Sequence, residues 1–204
     1  MILVQGTSSK LKYDLMKDRL KDLDIELIRP VDLNINIDIE EDGETVEENS
    51  IKKAKAYYEV TKLPVIAEDS GLYIDKFKDS EQPGLYVKRV NGREDLTDDE
   101  ILNYYIDKLN SYGGSSLAHY YTGVCIIDID GNIYSDTIIE TPFLLTTNAR
   151  KIKSIKGGVL ESISYDIDSN KYFDELTEKD KRLHYKNLDD KYKSLVRKYL
   201  LKEE

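Results

Sequence analysis

The stretch Gly43-Glu44-Thr45-Val46-Glu47-Glu48-Asn49-Ser50-Ile51-Lys52-Lys53-Ala54, followed by Leu63-Pro64-Val65-Ile66-Ala67-Glu68-Asp69-Ser70-Gly71-Leu72, decides how the rest of the chain is read. Thr45 and Glu48 stand in the Thr-x-x-Glu relation of a capping box, which predicts a helix from Val46 to Val60. Pro64 then opens a strand at Val65-Ile66-Ala67. Ser70 and Gly71 read as turn residues after that strand. Glu68 and Asp69 are therefore expected at its C-terminal end, where the crevice of an α/β sheet receives ligands. A further strand is expected around Leu72 to Ile74.

Upstream, Ile2 to Val4 forms a β-run, Gly6-Thr7-Ser8-Ser9-Lys10 a polar turn, and Leu11, Leu15, Leu20 and Leu23 the apolar positions of a helix. A short strand, Ile25 to Ile28, stops at Pro30, and alternating Leu33, Ile35, Ile37 and Ile39 lead into the acidic run. Downstream, Pro83-Gly84 breaks the chain, and Thr97 with Glu100 opens a helix that ends near Gly113-Gly114. Tyr120 to Ile129 and Ile133 to Ile139 flank Asp130-Gly131, a dipeptide suited to a tight hairpin turn. The last third holds a basic helical segment near Lys151 to Lys156, a poorly patterned stretch to Asp174, and a terminal helix with Leu188, Tyr192, Leu195, Val196 and Tyr199. Strands interleaved with helices first and a hairpin later predict an α/β fold on a mixed sheet.

A chain of 204 residues with 40% hydrophobic content can bury one substantial core, so residues 1–204 are expected to form a single domain or two closely apposed lobes. The formal net charge of -10 disfavours binding to a nucleic-acid backbone. A small polyanion remains a possible substrate where Lys, Arg or a metal offsets that field locally. Cys125 is the only cysteine, which excludes an intrachain disulfide and a thiolate zinc site and fits a reducing compartment. The N-terminal run lacks the basic flank of a signal peptide, and no stretch approaches the roughly 20 apolar residues of a membrane span. No membrane association and a cytoplasmic location are expected.

Each candidate site has a plainer reading beside it. Gly6 to Lys10 joins a strand to a helix N-terminus, where backbone amides, the dipole and Lys10 would favour a phosphate; taken alone, the stretch reads first as an ordinary Ser-capped helix. Most of Asp38, Glu40, Glu41, Asp42, Glu44, Glu47 and Glu48 read as a solvated run at a helix start. With Glu68-Asp69 nearby, one of them would complete a magnesium site, since that ion takes one or two carboxylates together with phosphate and water. Asn49 and Lys53, four residues apart, share a helix face, and Lys53 is either a salt-bridge partner or a phosphate ligand. Asp128-Ile129-Asp130-Gly131-Asn132 lacks the twelfth-position Glu of a calcium loop and reads as a turn. His119 reads as structural. His184 lies among Lys181, Arg182, Tyr185 and Lys186, either a basic helix surface or a contact for a nucleotide.

Together, Gln5-Gly6-Thr7-Ser8-Ser9-Lys10, Glu48-Asn49-Ser50-Ile51-Lys52-Lys53-Ala54, Glu68-Asp69-Ser70-Gly71 and Pro83-Gly84-Leu85-Tyr86 resemble, in order and spacing, the motifs of the inosine triphosphate pyrophosphatase family. Towards the C-terminus, Tyr165-Asp166 looks like the remnant of its Phe-Gly-Tyr-Asp-Pro loop, Glu175-Leu176-Thr177 resembles its Ala-Glu-Leu segment, and Lys181 matches a phosphate-binding lysine. The Ser-His-Arg motif that reads the base is not intact: either His184 or Tyr185-Lys186 stands in its place. The resemblance implies an elongated mixed sheet with flanking helices, two lobes around a central nucleotide cleft, a homodimer, and hydrolysis of a nucleoside triphosphate, typically a deaminated purine, to monophosphate and pyrophosphate. It assigns Glu41, Glu68 and Asp69 to Mg2+, with Asp69 also the general base. Lys10, Lys53 and Lys181 go to the triphosphate. Gly6, Thr7, Ser8, Asn49, Ser70, Gly71, Tyr165, Asp166, His184, Tyr185 and Lys186 complete the substrate contacts. The departures at Thr7 and in the base-reading region keep two alternatives open: a sequestering protein without turnover, and a pyrophosphatase for another base.

Overall fold

A computed structural model describes residues 1–149 and 158–203. The basic segment Lys151 to Lys156 lies outside the described residues. The chain forms two compact units, the first from residues 1–70, 121–139 and 187–204, the second from 71–120 and 140–186.

In the first unit β1 (Ile2–Gln5) pairs in parallel with β2 (Glu26–Ile28) and with the start of β3 (Val65–Ile74). The connection from β1 to β2 is α1 (Lys10–Arg19), and α2 (Val46–Thr61) precedes β3, as parallel neighbours require a crossover. The far half of β4 (Ser115–Ile127) forms an antiparallel hairpin with β5 (Ile133–Ile139), in register from Tyr121↔Ile139 to Ile127↔Ile133. The strand order in this unit is β2-β1-β3-β4-β5.

The second unit takes the remainder of β3 and β4 and adds β6 (Phe143–Thr146), β7 (Ser164–Asp166) and β8 (Lys171–Tyr172), each antiparallel to its neighbour. Its core gathers Leu72, Ile74, Ile101, Tyr105, Leu109, Phe143 and Ile163, with α3 (Asp98–Ser111) supplying three of these. The short helix α4 (Glu178–His184) closes this unit, and α5 (Lys186–Val196) returns the chain to the first. The fold is α/β on a mixed sheet, as the interleaved pattern predicts.

Local signals set several boundaries. The Thr45 hydroxyl accepts the Glu48 amide at 3.1 Å and starts α2 at Val46. The Glu48 carboxylate closes on the Glu44 amide instead of Thr45, so the reciprocal half of the box is displaced by one residue. Lys62 ends the helix in the left-handed region at φ 52°, and the Pro64 carbonyl then accepts from the Val4 amide at 2.8 Å. At Thr97 and Glu100 both halves of the capping box form. Asp128 reads as a hairpin turn, because its carboxylate accepts from the amides of Asp130 and Asn132, both at 2.9 Å.

Three expectations change. The expected turn at Ser70-Gly71 does not form, and Val65 to Ile74 is one ten-residue strand. Leu11 and Leu15 do not make the apolar face of α1; both are exposed, whereas Met16 and Leu20 are buried. The alternation of Ile35, Ile37 and Ile39 is genuine, but these residues pack on the core of Val4, Ala54, Val65 and Ala67 without joining a strand ladder.

Candidate functional site

The continuity of β3 has a chemical consequence. Successive side chains on a strand point to opposite faces, so adjacent Glu68 and Asp69 are separated by the sheet itself. Asp69 faces α2. There the Asn49 amide Nδ2 donates to Asp69 Oδ2 at 3.1 Å, and Lys53 Nζ donates to Asp69 Oδ1 at 2.8 Å and to the Glu68 carbonyl at 3.2 Å. Glu41, from the segment before α2, reaches the same ammonium at 2.7 Å. Asn49 is fixed in turn, its Oδ1 accepting the Gly43 amide at 2.8 Å. Asn49 and Lys53 thus lie one above the other on the buried face of α2, as their spacing predicts.

Burial pulls the Lys53 ammonium down, but its hydrogen bonds to Asp69 and Glu41, and their charges, outweigh that and hold it above the ordinary lysine value. It is a permanent cation. The salt-bridge reading of Lys53 holds, since it pairs with two carboxylates, and the residue also lines a cleft. That cleft, about 140 Å3, is lined by Gly6, Thr7, Ser8, Ile37, Asp38, Ile39, Glu41, Lys53 and Tyr57.

Gly6 is required by a close approach. A Cβ there would lie 2.9 Å from Tyr57 Cδ2 and 3.0 Å from Ala67 Cβ. The loop then turns into α1 through Ser9, whose hydroxyl accepts the Lys12 amide at 3.3 Å. Lys10 is exposed, bonds Asp14 at 2.5 Å, and is absent from the cleft lining.

On the opposite face of β3, the Tyr192 hydroxyl of α5 donates to Glu68 Oε2, and the Arg19 guanidinium stacks 4.4 Å from the Tyr192 ring centroid while bonding Asp189 at 2.6 Å. Ser70 points the same way and shares a 2.9 Å hydrogen bond with Thr122. The expectation that Glu68 and Asp69 act as one chelating pair is therefore corrected: the alternation of a straight strand sends one carboxylate to each face. Ser70 is likewise turned from the cleft, and Gly71 begins the second unit.

Magnesium requires hard oxygen ligands. Glu41 and Asp69 fit that requirement, since their carboxylates lie close together, both pairing with the Lys53 ammonium, and each keeps oxygen lone pairs that Lys53 does not use. Among the described residues no group of three or more His, Cys, Asp or Glu side chains that could hold a metal is assembled. A site of two carboxylates completed by substrate phosphate and water is the one these residues suit.

In the second unit His184 is not a surface base. Its Nδ1 lies 2.7 Å from Asp166 Oδ1, with both side chains almost wholly buried, and its ring packs edge-on against Phe173 and Tyr185. The expected nucleotide contact through the His184 ring gives way to an internal pair, because the Asp166 carboxylate, itself accepting the Ser169 amide at 2.8 Å, draws the imidazole inward. Tyr165 donates to Asn170 Oδ1 at 2.6 Å, Lys181 pairs with Glu178 at 3.3 Å on the surface, and Lys186 is exposed at the start of α5. His119 lies 3.4 Å from Asp75.

Sequence reasoning missed Tyr57 and Arg19 and read Tyr192 only as a packing residue of the terminal helix. Tyr57 was legible as the next step of the i, i+4 series Asn49, Lys53, Tyr57. The Tyr192–Glu68 contact spans 124 residues and left no local signal.

A sequence model of the Ham1 family matches residues 3–139, which include every element of the Asp69 cluster and its cleft. A protein of Leptospira interrogans named dITP/XTP pyrophosphatase is 33% identical over 126 residues, 62% of each chain. One of Borrelia recurrentis with the same name is 30% identical over 187 residues, 87% of this chain and 89% of its own. The chain thus spans less than two thirds of the Leptospira relative and nearly all of the Borrelia one. The Ham1 protein of Staphylococcus aureus superposes with a TM-score of 0.75 at 22% identity, covering 96% of this chain and 98% of its own. A HAM1 protein from Coxiella burnetii gives 0.73 at 23% identity, covering 97% and 99%. No helix among the described residues is long and apolar enough to cross a membrane. With the family match running through the glycine loop, α2 and β3, and the fold shared along nearly the whole chain, this protein belongs to the Ham1 family.

Proposed function

We propose that this chain hydrolyses a nucleoside triphosphate at its α–β linkage, releasing the monophosphate and pyrophosphate, with inosine, deoxyinosine or xanthosine triphosphate as substrate and Mg2+ as cofactor. The observation that carries this reading is the fixed Asp69 carboxylate, held by Asn49 and by Lys53, which itself lines a cleft together with Glu41 and the Gly6–Ser8 loop. The names of the Leptospira and Borrelia relatives support the substrate class.

Asn49 and Lys53 each take one lone pair on a different Asp69 oxygen, leaving a second on each. Asp69 can therefore orient a water and accept its proton as the water oxygen bonds the α-phosphorus and the bond to the pyrophosphate oxygen breaks. Lys53 and the Ser8 amide offset charge on the phosphate oxygens, the Gly6 and Thr7 amides being engaged by the Ile66 and Gln5 carbonyls. Glu41 and Asp69 would hold the magnesium ion, which when bound supplies Lewis-acid charge neutralisation on the phosphates. Glu68 has no direct part in this scheme.

The test is pyrophosphate release from inosine and xanthosine triphosphates with magnesium by the purified protein, abolished by Asp69→Asn with nucleotide binding retained. Release of single orthophosphates would overturn the reaction type. The inward pairing of His184 favours a second reading of specificity, in which groups other than that ring read the base. A screen of about a dozen triphosphates decides it, and equal rates on adenosine and inosine triphosphates would remove the preference for a 6-keto purine. Homodimeric assembly rests on the family resemblance and is checked by sedimentation. A cytoplasmic location goes with this substrate pool and with the single buried thiol of Cys125.

A further inference from the structure

Asn49, Lys53 and Tyr57 recur every four residues on α2 and make one buried stripe. The first two hold Asp69, and the scheme above leaves the third without a task. Tyr57 is 5% exposed, yet it lines the cleft together with Lys53, Glu41 and the Gly6–Ser8 loop. Its ring is fixed by contact with the glycine loop, since any Cβ on Gly6 would strike its Cδ2 edge. Among the described residues its hydroxyl has no protein hydrogen-bond partner and is open to solvent, while its backbone carbonyl accepts from the Thr61 hydroxyl at 2.8 Å.

This hydroxyl belongs to the wall of a cavity whose other polar side chains are the Lys53 ammonium, the Asp38 and Glu41 carboxylates and the Thr7 and Ser8 hydroxyls. An apolar residue would serve if the position only filled space against Gly6 and Ala67. Burial lifts the phenol above its ordinary value, against the pull of Lys53, so it is a protonated donor at neutral pH.

We propose that Tyr57 is a substrate-positioning residue whose hydroxyl donates a hydrogen bond to a phosphate oxygen of the triphosphate chain, beside Lys53 and the Gly6–Ser8 loop. The proposal rests on the pyrophosphatase reading for its turnover measurements but not for its binding measurement. Because the contact is made to an oxygen present from the ground state through the transition state, it acts on binding and leaves the chemical step alone. It addresses the phosphates, so the base is irrelevant to it.

The experiment compares the wild type with Tyr57→Phe, which removes one oxygen and keeps the ring against Gly6. Losing a hydrogen bond to a charged oxygen should raise KM about tenfold for inosine and xanthosine triphosphates alike, with kcat within about twofold. The dissociation constant for inorganic tripolyphosphate with magnesium, measured by calorimetry, should rise by a similar factor, and the melting temperature should stay where it was. Unchanged KM and unchanged tripolyphosphate affinity would overturn the proposal, as would a loss confined to kcat, a loss that depends on the base, or a wild type that does not bind tripolyphosphate. If the wild type binds tripolyphosphate but releases no pyrophosphate from any triphosphate, the proposed function falls, and the binding ratio alone still decides the role of Tyr57.

Discussion

Replacing Lys53 with methionine keeps the apolar stem as far as the ε position and deletes the ammonium, so it isolates what that group does between Asp69 and Glu41. The Lys53 side chain is 10% exposed and that of Asp69 12%, whereas Glu41 is 47% exposed. Breaking a buried ion pair by removing one partner costs about 3–5 kcal/mol, because the remaining charge stays buried. Glu41 can turn to water, and its share is that of a surface pair, well under ~1 kcal/mol. Asn49 still donates to Asp69 in the variant, which places the expected loss near the lower bound, about 3 kcal/mol. For a chain of this size that lowers the melting temperature by roughly 6–12 °C. Adding Asp69→Asn to Lys53→Met removes the stranded charge and should restore about 2 kcal/mol of the loss, while restoring no turnover. Urea unfolding followed by circular dichroism gives the stabilities, and pyrophosphate release gives the activities. A loss below about 1 kcal/mol for Lys53→Met, or further destabilisation on adding Asp69→Asn, would refute the view that the ammonium compensates a buried Asp69 charge.

Glu68→Gln, on the other face of β3, should keep turnover within about tenfold of wild type, a smaller loss than Asp69→Asn should give, because the side-chain carbonyl of the introduced amide can still accept from Tyr192; comparable losses for the two would show that the carboxylates act together. Gly123→Ala puts a Cβ 2.4 Å from the Val46 carbonyl and 2.6 Å from the Glu47 amide, so the first turn of α2 must move. The expected cost is about 2–3 kcal/mol in a thermal melt, with a raised KM because α2 carries Asn49 and Lys53. In the second unit, burial alone would raise the Asp166 carboxyl, but its hydrogen bonds to Ser169 and His184 outweigh that and hold it below the usual range. Its folded value is thus depressed, so its stabilisation is fully present above the unfolded value near ~4 and is lost as pH falls through the folded value. Acid unfolding followed between neutrality and about pH 2 should show this, with a shallower acid limb in Asp166→Asn than in wild type.

Where the physics is local, the residues alone carried the answer. The bounds of α2 follow from a hydroxyl three residues before an orphan amide, and from Lys62 and Pro64, which stop the helix. The β4–β5 hairpin follows from two apolar runs around Asp128 to Asn132, and the shared face of Asn49 and Lys53 follows from helical pitch. These interactions lie within a few residues, and their geometry is the same in any fold. The tertiary structure decided the rest. Ser70 and Gly71 prefer turns in isolation, but β3 has β1 and β4 as neighbours, and ladder hydrogen bonds along a ten-residue strand outweigh a local preference worth well under ~1 kcal/mol per residue. That one outcome parts Glu68 from Asp69. The buried side of α1 was set by what it packs against, which favours Met16 and Leu20 over Leu11 and Leu15. His184 was turned inward by Asp166, 18 residues away. The sequence by itself determined which chemical groups this protein owns and the spacing that makes a Ham1 family member of it. Which of those groups share a face was decided by long-range pairing, because a strand's two sides acquire different surroundings only when other parts of the chain are laid against them.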